Sequence, residues 1–295
     1  MTSKIYLAII LSDYQEIGLK RFIEHFHIKD KIIVIKYIND TIKIIKLPKN
    51  VKRKIFSNKY AFFTYFLLVL LKNFFYKKKY IFGNPASKFC LFLSNFINGK
   101  DQIYLDDGIQ TIHFNFNQLK KNSTLFTIYK IKTPTKIKNI QYFPKYVKKR
   151  KKTCDKILFI GSPLVLVDNL ARDKFIKIMK IISKKHKKFY YYPHRMDTDE
   201  LRLLPKNFKI MKRKTLVEKF VLNYKYNFRL IYSFGSSSVI EIINFYKKEN
   251  LRVFDINELI DNTGENPLHK RKFKIYHDYL KKIKISVTKI KKINI

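Results

Sequence analysis

Tyr190-Tyr191-Tyr192-Pro193-His194-Arg195 runs from β-prone aromatics into an imidazole and a guanidinium. Proline cannot donate to a sheet ladder, so the run predicts a strand that stops before Pro193 and leaves His194 and Arg195 at its end. Histidine titrates near neutral pH and can donate a proton or a charged hydrogen bond to a departing phosphate. Arg195 can grip a phosphate with two parallel bonds, or simply pair with Asp197. A single histidine is more often structural than catalytic, and the chain holds seven. Its place at a strand end is what marks this one.

Two further strand ends share the design. Ile103-Tyr104-Leu105 leads into Asp106-Asp107-Gly108. Adjacent carboxylates repel, so one can hold its proton to higher pH and serve as a base, while Gly108 permits a sharp turn that exposes them. A solvated Asp-Gly turn explains the same residues. A metal site is a rival reading, although two acids with no nearby histidine or third carboxylate make a poor ligand set. Leu230-Ile231-Tyr232-Ser233-Phe234 leads into Gly235-Ser236-Ser237-Ser238 and an apolar helical stretch. Backbone N–H groups at a helix start, with serine hydroxyls, suit a phosphate. Serine is also a good N-cap, but three after a glycine exceed what capping needs. The nucleophile-elbow pattern G-x-S-x-G does not occur there. Gly161-Ser162-Pro163 can bring backbone close to a flat ligand such as a nucleobase. Glu218, near a helix start, can bind ribose hydroxyls or complete a capping box with Thr215.

These segments need strands and helices to hold them, and the chain alternates the two. Strand-like runs fall at 4–11, 31–37, 41–47, 80–83, 102–105, 156–160, 188–192, 208–211, 229–234 and 251–254. Helical periodicity falls at 13–26, 60–76, from Pro85 to Phe96, at 169–185 and 215–223, after Gly235 through Lys247, and at 271–282. Such alternation implies parallel sheets, and ligands at an open parallel sheet bind beyond the carboxyl ends of its strands. The pattern weakens over 111–150, where a basic run, 148–152, reads as the approach to a linker. The expected fold class is therefore α/β, with two Rossmann-like domains, 1–153 and 154–295, facing each other across a cleft. A chain of 295 residues accommodates two such domains.

The formal charge is +41, from 63 Lys+Arg against 22 Asp+Glu. It points to a polyanion, either nucleic acid or an anionic membrane face. The lysines are spread along the chain, and abundant Lys, Ile, Asn, Tyr and Phe beside scarce Gly and Trp are what an AT-rich genome produces. No helix-turn-helix, zinc-finger spacing or RNP-type motif supports specific nucleic-acid binding. Two cysteines, Cys90 and Cys154, form no disulfide framework or CxxC pair and suit a reducing cytoplasm. The apolar run 5–11 is too short for a secretory signal, and 60–71 falls short of the roughly 20 residues a spanning helix needs. The latter reads as a buried helix, with a membrane-surface helix as the alternative.

The set Asp106-Asp107-Gly108, Gly161-Ser162-Pro163-Leu164, Tyr192-Pro193-His194-Arg195 and Ser236-Ser237-Ser238 resembles the bacterial sialyltransferases, most closely glycosyltransferase family 52, the lipooligosaccharide sialyltransferases. Related families read His-Pro where this chain reads Pro193-His194. The resemblance implies a GT-B-like fold, CMP-N-acetylneuraminic acid as donor, inversion at the anomeric carbon, and neither metal nor cofactor. It places His194 on the departing CMP phosphate, seconded by Ser236, Ser237 and Ser238. An aspartate would deprotonate the acceptor hydroxyl, with Asp107 favoured and Asp106 and Asp168 in competition. Gly161, Ser162, Pro163, Arg195 and Glu218 complete the substrate-binding set. The expected partners are the nucleotide-sugar donor, a galactose-terminated glycan or glycolipid acceptor, an anionic membrane surface and, as an allowed assembly, a second copy of the chain. The expected location is cytoplasmic, peripheral at the inner face of a bacterial inner membrane. Another nucleotide-sugar transferase of the same fold, or a basic nucleic-acid-binding protein, are the alternatives.

Overall fold

A computed structural model describes residues 4–37, 45–97, 101–142, 152–162, 164, 172–194, 197, 199–213, 215–244, 246–255 and 268–289. The chain divides into two compact units, Met1–Pro144 and Lys145–Ile295, ahead of the 153/154 boundary read from the sequence.

The first unit runs β1 (Lys4–Ile10), α1 (Asp13–His25), β2 (Lys31–Tyr37), β3 (Val51–Phe56), α2 (Lys59–Lys72), β4 (Lys77–Phe82), α3 (Lys88–Phe96), β5 (Gln102–Leu105), α4 (Ile109–His113), β6 (Thr124–Thr127) and β7 (Lys138–Gln141). Its seven strands are ordered β3-β2-β1-β4-β5-β6-β7, and every neighbouring pair is parallel. Parallel strands need crossover helices, which cover both faces of the sheet. The inner strands are accordingly apolar almost throughout: β1 and β2 bury five or more consecutive residues each. Helices α2 and α3 close one face through Phe62, Phe66, Val69, Cys90 and Leu93, packed with Ile5, Leu7, Ile9 and Phe82.

The second unit runs β8 (Thr153–Ile160), α5 (Arg172–Lys184), β9 (Phe189–Tyr192), β10 (Phe208–Ile210), α6 (Val217–Asn223), β11 (Asn227–Ser233), α7 (Ser238–Ile242), β12 (Leu251–Asp255), α8 (Leu268–Lys282) and β13 (Ser286–Lys289). The strand order is β10-β9-β8-β11-β12-β13, again parallel throughout. A row of stacked rings crosses four adjacent strands: Tyr191, Phe159, Tyr232 and Phe254, with successive centroids 5.8, 6.5 and 5.1 Å apart. Alternation along a strand sends Tyr191 to that core and its neighbours to the other face. There Tyr192 meets Phe220 of α6 at 4.8 Å.

Several expectations are corrected. No strand occupies 45–47; the outer strand is β3, and 41–44 lie outside the described residues. β3 alternates partly covered and exposed positions and carries Lys52, Arg53 and Lys54, as charged edge strands do. Helix α2 stops at Lys72 rather than 76, because Asn73 caps it, its Nδ2 donating to the Val69 carbonyl at 2.8 Å. Helix α3 opens at Lys88 with Ser87 as its N-cap, not at Pro85. Helix α7 ends at Ile242 instead of running to 247. Tyr246 is buried and its hydroxyl accepts from the Phe228 N–H at 2.5 Å, which draws the chain back to β11. Thr215 is not the cap of α6. Leu216 holds that place without a side-chain bond, and the Thr215 carbonyl instead accepts the Tyr192 hydroxyl.

Candidate active site

In the second unit, Ile160 of β8 lies level with Tyr192 of β9 on one side and Ser233 of β11 on the other. The segments that follow these three residues therefore leave one carboxyl edge side by side. They carry Gly161 and Ser162, then His194, then Gly235 to Ser238. With strand spacing of about 4.8 Å, the outer two start roughly 10 Å apart, with the Gly161 segment between them.

The His194 segment is held by Asp197. This buried carboxylate accepts from the His194 N–H at 2.7 Å and from the Tyr191 hydroxyl at 2.8 Å through the same oxygen, Oδ2. The Asp197 N–H donates back to the His194 carbonyl at 3.1 Å. Asp197 thus acts on the backbone of the turn, a role the sequence does not advertise. Gly161 is the reason this clamp fits. Its N–H donates to the Tyr192 carbonyl at 2.9 Å, and a Cβ placed on it would sit 2.3 Å from Asp197 Oδ2 and 2.5 Å from the Tyr191 hydroxyl oxygen. Only hydrogen can occupy that space.

The serine loop is organised from beneath. Ser233, fully buried at the end of β11, accepts from the N–H groups of Gly235 and Ser236, each at 3.2 Å. The Ser238 N–H turns onto Ser236 Oγ at 3.3 Å. Three of the loop's four N–H groups are thus engaged internally, and α7 has only five residues, so the helix-start cradle expected from the sequence is much reduced. The Ser236 carbonyl accepts the Tyr276 hydroxyl from α8 at 2.6 Å. Burial raises the Tyr276 phenol above its ordinary range, so it remains a donor at any working pH. Glu218 is buried at the first turn of α6 and accepts from Ser238 Oγ at 3.0 Å, which ties two helix starts together. Ser162 is also buried, and its carbonyl accepts from the Leu164 N–H at 2.8 Å. Pro163, Asp168 and Arg195 lie outside the described residues.

In the first unit the ends of β1, β4 and β5 are likewise neighbours. Asp106 and Asp107 diverge there. Asp106 is buried, and its Oδ2 accepts the Ile128 N–H beyond β6 at 2.6 Å. Asp107 is half-buried. Its Oδ1 accepts from Gln15 Nε2 at 2.8 Å, its Oδ2 from Asn84 Nδ2, and its N–H donates to Thr111 Oγ1 at 2.8 Å. Gly108 adopts φ 64°, a left-handed conformation that lets the chain turn sharply just past Asp107. Gln15 is itself fixed: its Oε1 accepts the Leu11 N–H at 2.7 Å. The next residue, Glu16, is fully buried between Lys36 of β2 and Arg53 of β3, and Lys36 also meets Asp13 at 2.5 Å. Gln15, Asn84, Asp197, Ser233 and Tyr276 are the residues that sequence reasoning missed as holders of the site. Only Asn84, in Gly83-Asn84-Pro85 after a strand, carries a local turn signal. Among the described residues no three His, Cys, Asp or Glu side chains gather as a metal site.

Two parallel-sheet α/β units of this make-up are those of the GT-B glycosyltransferases, and the fold is the one found in bacterial sialyltransferases. The chain is similar to the α/β-galactoside α-2,3-sialyltransferase of Photobacterium phosphoreum, with a TM-score of 0.60 and 12% identity over 99% of this chain and 100% of that one. It is similar to a 2,6-sialyltransferase from a Vibrionaceae Photobacterium, solved with CMP and lactose, with a TM-score of 0.54 and 10% identity over 97% of this chain and 78% of that one. A UDP-glucosyltransferase of Polygonum tinctorium gives a TM-score of 0.57 at 8% identity, covering 98% and 85%. Likeness at such identities speaks for the fold. No protein-family model matches the chain, and no curated protein matches its sequence.

Proposed function

We propose that this protein is an inverting sialyltransferase of the family 52 type, moving N-acetylneuraminic acid from CMP-N-acetylneuraminic acid to a galactose-terminated lipooligosaccharide or capsular glycan. The observation that carries the reading is the shared carboxyl edge in the second unit, where the His194, Gly161 and serine segments emerge side by side on a sialyltransferase fold. In the reaction, the acceptor hydroxyl oxygen bonds to the anomeric carbon as the bond from that carbon to the CMP phosphate breaks. The electron pair leaves on the phosphate, and the acceptor proton goes to a carboxylate. Charge therefore grows on the phosphate in the transition state, and fixed donors aimed at it are the efficient catalyst.

His194 supplies that donor, seconded by the hydroxyls of Ser236 and Ser237. Ser238 and Glu218 brace each other and present the ribose side, and Gly161, Ser162 and Pro163 meet the base. Arg195 and Asp168 keep their phosphate-binding and rival-base roles in this scheme. The N-terminal unit handles the acceptor. Asp107 is its base, because Asp106 is spent on the Ile128 backbone while Asp107 is half-open and oriented by two amides. The reaction needs no metal, and the enzyme works at the cytoplasmic face of the inner membrane.

The test is a donor screen by mass spectrometry in the presence of EDTA, with CMP-N-acetylneuraminic acid beside UDP- and other CMP-sugars and lactose as acceptor. Sialyl-lactose and CMP are expected. His194→Ala and Asp107→Asn should each lower kcat by roughly 10²- to 10⁴-fold. Exclusive use of a UDP-sugar, or unaltered kcat in His194→Ala, would reject the assignment.

A further inference from the structure

Large apolar side chains on a soluble surface are usually scattered. Here they are gathered. Among the described residues, every large apolar side chain more than half exposed lies within residues 60–96: Tyr60, Leu71, Phe74, Phe75, Phe92 and Phe96, with Phe75 reaching 92%. Helices α2 and α3 sit on the same face of the first unit's sheet, sharing one core and touching through the Phe62 and Phe89 rings at 5.3 Å. Having buried one side of each helix in that core, the chain leaves apolar groups on the outer sides as well. Tyr60, Leu68 and Leu71 are spaced to form one stripe along α2, and Phe92 and Phe96 another along α3.

The turn after α2 holds its two phenyl groups outward by hydrogen bonds. The Phe74 N–H donates to the Leu71 carbonyl and the Tyr76 N–H to the Asn73 carbonyl, each at 3.1 Å. The Phe74 and Phe75 rings stand edge to face with centroids 5.6 Å apart, and Lys78 Nζ lies 5.6 Å from the Phe74 ring. The stretch that builds this face is strongly basic: residues 41–100 contain 13 lysines and arginines and neither aspartate nor glutamate, and Asp101 just beyond pairs with Lys79 at 3.7 Å. Among the described residues no helix is long and apolar enough to cross a membrane.

An apolar ridge on a strongly basic stretch of chain matches an anionic lipid bilayer, whose headgroups meet the lysines while the rings enter the acyl boundary. We infer that the outer face of α2 and α3, led by Phe74 and Phe75, is a membrane-insertion surface for anionic lipid. The inference goes beyond the catalytic reading and does not depend on it. A protein partner would be expected to present acids to the lysines and leave lipid binding untouched by changes at the rings.

The chain has no tryptophan, so Phe75→Trp places a single reporter at the tip of the ridge. Its emission should shift to the blue and be quenched by brominated acyl chains when vesicles of phosphatidylcholine with phosphatidylglycerol are added. Ile210→Trp, in the second unit, should show neither change. In flotation assays Phe74→Ser/Phe75→Ser should bind these vesicles about tenfold or more weakly, since two exposed rings no longer leave water. Both residues are solvent-facing, and circular dichroism will show the variant folded. Three results would overturn the inference. One is Phe75→Trp emission unchanged by vesicles. A second is serine-variant binding equal to wild type, with all binding lost at about 0.5 M salt, which is adsorption by net charge alone. The third is a wild-type dimer that the serine variant converts to a monomer with unchanged lipid binding, making a second copy the occupant. Turnover on soluble lactose tests the catalytic reading separately and should not respond to these variants.

Discussion

Asp197→Ala should unseat His194 without touching it. The substitution removes the acceptor of two hydrogen bonds, from the His194 N–H and the Tyr191 hydroxyl, both shorter than 2.9 Å and both made to a buried carboxylate. Hydrogen bonds to charged groups contribute about 1.5–3 kcal/mol each. Part of that offsets the cost of burying the charge, so a net loss of about 3 kcal/mol is expected. With a urea slope of about 1–3 kcal/mol/M, the unfolding midpoint should fall by about 1–3 M. The catalytic effect is separate. A displacement of the imidazole by about 1 Å is worth roughly a hundredfold in kcat, and the loss should appear in kcat rather than KM for a residue that acts through His194. Asp197→Asn keeps an acceptor oxygen and should recover more than half of the stability. Tyr191→Phe removes one donor and should cost about 1.5 kcal/mol in the wild type but much less beside Asp197→Ala, because the pair is then already broken. Asp197→Ala with an unmoved midpoint and normal kcat would show that the turn holds itself, and the argument would fall.

Two other outcomes follow from groups away from this turn. His186 is held below its ordinary pKa, first by burial and then by the charges of Arg229 and Lys185, while its Nε2 lies 2.9 Å from the Tyr232 hydroxyl oxygen. The unfolded chain binds this proton more readily, so the stability from neutral His186 is complete above about pH 6.5 and declines as pH falls below that value. Urea midpoints between pH 8 and pH 5 should fall less steeply for His186→Gln than for wild type; parallel slopes would contradict this. Burial pushes the Cys90 thiol up to about 12. A Cys154→Ser protein should accordingly give no reaction with a thiol-specific dye at pH 8 until it unfolds, and prompt labelling of the native protein would disprove the burial.

Much of the two-unit α/β design is legible because parallel strands covered on both faces must be apolar, and runs such as Lys31–Tyr37 cannot be hidden. What escapes reading are strands that do not need that signature. β3 is an edge strand with three consecutive basic residues, and β6 and β7 are four residues long with polar members, so neither alternation nor length stands out. The candidate site divides in the same way. His194, Asp107, Gly161 and the serine loop are conspicuous because each follows a strand and breaks its pattern. Their supports are not. Gln15 lies 92 positions from the carboxylate it orients, and Tyr276 lies 40 positions from the carbonyl it binds. Nothing local in the sequence ties either to its partner; only the strand order does.

The doublets at the strand ends show why motif reading both succeeds and overreaches. Side chains alternate across a sheet, so two adjacent residues at a strand end tend to face different ways. Asp106 turns inward to the Ile128 backbone, and Asp107 turns to Gln15 and Asn84. Tyr191 points to the core and to Asp197, while Tyr192 points to α6 and fixes the Thr215 carbonyl that precedes Glu218. In each doublet one residue builds the support that the other, or its neighbour, requires. A pair of acids or a run of tyrosines therefore marks where a site is, but only the pleat decides which member holds and which acts. Under the proposed function these contacts favour Asp107 over Asp106 as the base, which makes a prediction in kind. Asp106→Asn should lower stability with kcat largely kept, whereas Asp107→Asn should lower kcat with stability largely kept. Urea unfolding and initial rates on the same two proteins would reveal a reversed pattern at once.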